Sequence, residues 1–165
     1  MTTVKDNSAE GQAARLETAN REIAALLRRQ DVAQRLRTAG QGDWSALEIV
    51  GHMSEMIPYW MAHIRALAAA TGAPPQFGRA IDAPERLEGV QRGAMASLDE
   101  LLGVLDREIR AAAADIRRMP ATERAKKGIH SRIGELSVAG AIEQLVVDHA
   151  EAHVEQLKQA IGAEH

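Results

Sequence analysis

Three of the six histidines in this chain are placed to do chemistry together. His149 and His153 are four residues apart. On a helix that spacing puts them one turn apart on one face, where both imidazoles reach a single ion. Leu145 and Val146 precede the pair and Leu157 follows on the same stripe, so the pair faces a core. His52 lies between Ile49 and Met56 around an earlier helix, also on the inward side. If those two helices are neighbours, the three imidazoles converge. Three protein ligands with an open position are the arrangement of a catalytic metal site, whereas a structural site is closed by a fourth ligand. Imidazole suits zinc, nickel, copper or iron(II). A divalent transition metal is expected, zinc or nickel first and iron or manganese as alternatives. The competing reading is three core histidines, each hydrogen-bonded to a carbonyl or hydroxyl, with no metal.

Carboxylates near these histidines are candidates for acid–base or orienting work. Glu55 is one turn after His52 and is the candidate catalytic residue. Asp148 and Glu151 flank the histidine pair and fit better as solvated surface charges. His63 is 11 residues beyond His52, roughly 16 Å along a helix axis, so it is read as a surface or pocket-wall residue. His130 lies in a basic segment with Arg124, Lys126, Lys127 and Arg132. It reads as an exposed loop histidine, with a lid residue as the alternative. The basic segment could attract an anionic thiol or substrate. His165 is terminal.

The elements that must carry these residues are helices. Apolar residues recur at Leu16, Ile23, Leu26 or Leu27, Val32 and Leu36, which predicts a first helix from Ala9 to about Thr38. Gly40-Gln41-Gly42-Asp43 predicts a turn. Ser45-Ala46-Leu47-Glu48 is a capping box. The second helix runs from it to about Ala70, with the stripe Ile49, Met53, Met56, Trp60, Ile64 and Leu67. Pro58 inside it predicts a kink.

Residues 71–84 read as a long loop that either crosses the domain or covers a site. A third helical region starts near Pro84, breaks around Gly93 and resumes from a second capping box at Ser97 to Glu100. Its strong run is Leu98, Leu101, Leu102, Leu105, Ile109, Ala112 and Ile116. Residues 119–136 read as irregular. Ser137 caps a last helix that continues to about Ile161, with Ile142, Leu145, Val146, His149, His153, Leu157 and Ile161 inward. The expected fold is an all-α four-helix bundle, with residues 1–8 a disordered tail and 9–165 a single domain.

Bulk properties narrow the function. The chain has 165 residues, enough for one self-supporting domain. It has no cysteine, which excludes disulfides, thiolate metal sites and a cysteine nucleophile, and fits a reducing cytoplasm. With 20 basic and 23 acidic residues well mixed, it shows neither a nucleic-acid footprint nor a polybasic membrane patch. No apolar run is long enough for a membrane span. Residues 1–11 carry no apolar run, so no signal peptide is expected.

Residues Trp44 to Met53 (WSALEIVGHM) resemble the start of the second helix in the DinB/YfiT-like metalloenzyme family, the DinB superfamily. His149 to Leu157 (HAEAHVEQL) resembles that family's last-helix motif, including the glutamine after the second histidine, and Ser137-Val138 resembles the start of that helix. The resemblance implies a four-helix bundle with a mirror-type variant of up-and-down connectivity. It implies a divalent metal on His52, His149 and His153, and a homodimer. The better-understood relatives are thiol transferases and isomerases that use low-molecular-weight thiols. Family members often carry an acidic or polar residue directly after the first histidine of the pair; here it is Ala150. The expectation is therefore a metal-dependent enzyme acting on a small molecule, as a low-molecular-weight-thiol S-transferase or a metal-assisted hydrolase. At such an ion the pKa of a bound water or thiol falls toward neutrality. The alternative is a non-catalytic stress-response bundle that binds a metal or small ligand.

Overall fold

The computed structural model describes residues 3–39 and 44–162. The turn expected at Gly40–Asp43 and the terminal His165 lie outside the described residues. Helix α1 spans Ala9–Leu27, with the Ser8 hydroxyl accepting from the Gly11 amide at 3.0 Å. It stops short of the expected Thr38. A 3₁₀ turn, Gln30–Arg35, takes over, yet Val32 stays fully buried and Leu36 nearly so. No glycine or proline marks this break. The 3₁₀ turn keeps Val32 and Leu36 in the core, so packing overrides helix propensity here.

Helix α2, Ala46–Ala69, starts at the expected capping box and runs uninterrupted through Pro58. All six stripe residues are buried. The linker that follows contains a two-residue strand, β1, Gln76–Phe77. Helix α3, Pro84–Met95, packs across the outer side of α2. Glycines permit the close crossing: a Cβ on Gly51 would run into the Gly89 carbonyl oxygen, and one on Gly93 into the Leu47 carbonyl oxygen. This crossing clamps the turn of α2 that bears His52.

Helix α4, Leu98–Arg118, begins at the second capping box and buries Leu101, Leu102, Leu105, Ile109, Ala112 and Ile116. Residues 119–136, expected to be irregular, contain a short helix, α5 (Ala121–Arg124), strand β2 (Lys127–His130) and the start of β3 (Gly134–Ser137). Strands β2 and β3 form an antiparallel hairpin, and β1 joins β2 in parallel, pairing Phe77 with His130. The alternation is inverted: Gly128 and His130 point inward while Lys127 and Ile129 point out. That inversion removes the apolar period-2 signal by which strands are recognised.

The last helix is composite. Ser137 caps α6, Val138–Ala141; a π-helical segment follows, Ile142–Val147; α7 runs Asp148–Ala160. One extra residue in a turn rotates the helix beyond it by about 100° relative to an unbroken α-helix. The segment sits directly before His149.

Helices α1, α2, α4 and the composite last helix form the four-helix bundle, built on one continuous apolar core. Each fully buried Leu, Ile or Met in it contributes about 1.5–3 kcal/mol. Helix α1 packs against α4 and the last helix, and α2 against the same two. The consecutive helices α1 and α2 are therefore diagonal, as are α4 and the last helix. A simple up-and-down bundle would make them neighbours. This order is what sets α2 beside the last helix.

Candidate metal centre

The three histidines meet where α2 runs beside α7. Ligand atoms from His52, His149 and His153 all lie within 4.8 Å of one another, near enough for small ring rotations to bring them onto one ion with bonds of about 2.0–2.1 Å. The rings of His149 and His153 stack at 4.7 Å, and the His52 ring is 4.9 Å from that of His153 and 5.9 Å from that of His149. His52 and His153 are buried; His149 is half-buried.

Burial holds all three imidazoles neutral. It pushes His52 down to about 3, helped by His153, Arg86, His149 and Arg79, and His149 to about 4, helped by His153, Arg86 and Arg79 against a hydrogen bond to the Leu145 backbone. Burial also lowers His153, against the pull of its Gln156 hydrogen bond. Neutral imidazole is the form that binds metal.

The fit to a metal rests on two nitrogens. His52 Nδ1 and His153 Nε2 are buried and have no hydrogen-bond partner. Leaving a buried polar atom unsatisfied costs about 1–3 kcal/mol. Ordinary core histidines would have found a carbonyl or hydroxyl. On the other side of the His153 ring, Nδ1 lies 2.8 Å from Gln156 Oε1. With Nδ1–H donating to that amide oxygen, Nε2 keeps its lone pair for a ligand bond, an orienting contact typical of metal-binding histidines. The residues present fit a divalent ion.

His52 and His149 also line a cavity of about 200 Å³ with Met56 and Trp60. The rest of its wall comes from outside the bundle: Arg79, Ala80 and Ile81 from the linker after β1, Arg86 from α3, and Arg132 from the β2–β3 turn. The long loop predicted over residues 71–84 thus covers the site. Gly78, at φ +140°, makes the bend before Arg79 in a conformation that side chains rarely adopt.

Other candidate residues fall in different places. Glu55 does not reach the cavity as a free carboxylate: Arg79 Nη1 and Nη2 donate to its two oxygens at 2.8 and 2.6 Å. Asp148 and Glu151 are half-buried on the side of α7 that faces α1, where they pair with Arg15 and Lys5, away from the cavity. His63 is half-buried in an aromatic group with Tyr59, Trp60 and Phe77.

His130 is not the exposed loop residue expected. It is 2% exposed, packs on Trp60 and Phe77, and its Nδ1 accepts from the amides of Arg132 and Ile133 at 3.1 and 3.2 Å. In the basic segment, Lys126 donates to the carbonyls of Ala68 and Ala70 at the end of α2, Lys127 pairs with Glu135, and Arg124 donates to the Asn7 carbonyl. Arg132 alone of that segment lines the cavity. Arg79 and Arg86 were not singled out from the sequence, because exposed-looking arginines in a loop and on a polar helix carry no local signal of the wall they form.

The family model of the DinB superfamily matches residues 15–157 of the chain. Among solved structures, YfiT from Bacillus subtilis superposes with a TM-score of 0.74, covering 98% of this chain and 92% of that one at 16% identity. That protein is described as a probable metal-dependent hydrolase with an unusual four-helix bundle topology. At this identity the likeness establishes the fold. No curated protein matches the chain significantly.

Proposed function

The chain belongs to the DinB superfamily, and from that premise we propose that it is a metal-dependent enzyme acting on a small molecule, with hydrolysis as its reaction. The observation that carries this reading is the pair of orphaned imidazole nitrogens, His52 Nδ1 and His153 Nε2, beside His149 at the end of a cavity. A divalent ion held there would lower the pKa of a water or thiol at its vacant face and polarise a substrate oxygen. His52 and His149, which line the cavity, would hold the ion together with His153, whose ring Gln156 fixes. Met56 and Trp60 supply a dry wall. Glu55, both oxygens engaged, serves to hold Arg79. The cavity is smaller than the roughly 300–1,000 Å³ of drug-sized sites, which favours water over a bulky thiol as nucleophile.

A second reading, transfer of a low-molecular-weight thiol to an electrophile, draws support from the absence of a free carboxylate on the cavity wall among the described residues. A thiol with a pKa of about 8.5 needs no base to ionise once that value is lowered. In either case we infer a cytoplasmic homodimer, the first from the cysteine-free composition and the second from the family resemblance.

Zinc- or nickel-loaded protein should be assayed with ester, amide and phosphoester substrates, and with chloro-dinitrobenzene plus a panel of thiols. A metal-dependent rate with the first set, lost in His149→Ala, is the expected result. A rate only with a thiol would select the second reading. No metal-dependent rate with either set would reduce the protein to a binding bundle.

A further inference from the structure

The cavity beside the histidines is walled by cations. Arg79, Arg86 and Arg132 come from three separate elements and line one space of about 200 Å³. Among the described residues one carboxylate, Glu55, pairs with them, and it pairs with Arg79, whose side chain is 9% exposed and lies 3.9 Å over the Tyr59 ring. Arg79 is thus a neutralised and immobilised wall. Arg86 and Arg132 are not. Among the described residues neither is within ion-pair distance of a carboxylate, and the one side-chain hydrogen bond between them is from Arg86 to the Ile81 carbonyl, 2.9 Å. The Arg86 guanidinium lies 5.0 Å over the Trp44 ring, which in turn lies 5.0 Å from the His52 ring. Burial and the neighbouring charges of Arg79 and Arg132, against the pull of Glu55, push its pKa below the ordinary guanidinium value.

Guanidinium groups gathered in a concave site without counter-charges make a field that favours an anion. A divalent ion on the neutral histidines would strengthen it. The planar fork of arginine matches the geometry of carboxylate and phosphate oxygens. The Arg86 side chain is held by Trp44 and the Ile81 carbonyl, and the backbone that carries the exposed Arg132 is held as well. Arg132 rides on the hairpin turn that His130 Nδ1 ties through two amides. The pairing of β1 with β2, with Ser131 N donating to the Phe77 carbonyl at 2.9 Å, fixes that turn beside the linker that carries Arg79.

We propose that this cavity takes a small substrate bearing a carboxylate or phosphate group, with the oxyanion held by Arg86 and Arg132 and the reacting end turned toward His52 and His149. This names a substrate class for the site and rests on the enzymatic reading of it, though anion binding itself needs no metal.

The test is binding, not turnover. Trp44 stacks on Arg86 and Trp60 lines the cavity, so intrinsic fluorescence reports occupancy. Succinate, inorganic phosphate and neutral succinamide are titrated into the full-length protein, metal-free and zinc-loaded, with zinc content measured on the same samples. Arg132→Gln, Arg86→Gln and the remote Arg65→Gln are compared with the wild type.

Saturable binding of succinate or phosphate, not of succinamide, weakened at least tenfold by Arg132→Gln or Arg86→Gln and unchanged by Arg65→Gln, is the expected result. Which of the two anions binds tighter decides between carboxylate and phosphate. No saturable anion binding, or equal affinities in all variants, overturns the proposal, even in protein that holds its zinc. Arginine-dependent anion binding in protein that takes up no zinc supports it and removes the metal reading alone.

Discussion

The two ends of the cavity are built differently. At one end, His52, His149 and His153 stand on long helices packed into the bundle core, with the glycine crossing of α3 over α2 behind His52. At the other, Arg86 sits on a short outer helix, while Arg79 and Arg132 sit on a linker and a hairpin turn pinned by a few strand hydrogen bonds and by His130. On the proposed function, the difference separates two tasks. Metal ligation tolerates little displacement and belongs on rigid elements. Recognition of a substrate's charge tolerates more and sits on connections that vary without disturbing the core.

If this contrast is right, changes at the helix end act on metal and changes at the loop end on anion. The largest expected effect is His149→Ala, which should take bound metal in protein purified without added metal from about one equivalent to below a few tenths, read by elemental analysis. Next is Gln156→Ala. Losing the group that orients His153 should weaken metal affinity about 10–100-fold, read by competition with a chromogenic chelator; an unchanged affinity would show that the core alone aims the ring. At the loop end, His130→Ala should leave metal content unchanged but weaken anion binding several-fold, because the amides of Arg132 and Ile133 lose their acceptor. His130→Asn, which keeps an acceptor, should recover part of it. Loss of metal in His130→Ala would merge the two ends into one unit.

The smallest effect is on pH dependence. In the metal-free protein the imidazoles are held neutral: His52 down to about 3, His149 to about 4 and His153 below its ordinary value, all through burial. The unfolded chain then binds more protons than the folded one below pH 6.5, so stability falls as pH drops through that range. Carboxylates held low in the fold, such as Asp106 and Asp148, add their share only at more acid pH. Melting temperatures of the chelated protein should decline from near pH 6.5, and less steeply in His52→Ala/His149→Ala. A flat profile down to the carboxylate range would mean the buried rings accept protons freely.

The same contrast governs what could be read from the sequence. The helix end was readable: apolar periodicity, the serine caps at Ser45, Ser97 and Ser137 and the i, i+4 histidines are local signals, and the structure keeps them. The loop end was not. In β2 the apolar residue, Ile129, faces out and the histidine faces in, so the strand left no pattern, and His130 looked like a surface residue. Arg79, Arg86 and Arg132 come together only through strand pairing and the crossing of α3. Two features of the helix end were hidden as well. Nothing in Ile142–Val147 announces a π-turn, and the diagonal placement of α1 and α2 is a matter of connection, not of any helix's own composition.

On the proposed function, the three histidines together hold one divalent ion. Crystals of protein purified without added metal, measured across the absorption edges of zinc, nickel, iron and manganese, test it most directly. The expected result is a single anomalous peak about 2.0–2.2 Å from one nitrogen of each of His52, His149 and His153, with a face open to the arginine-lined cavity. No peak there, with all three rings hydrogen-bonded to protein or water instead, would contradict it.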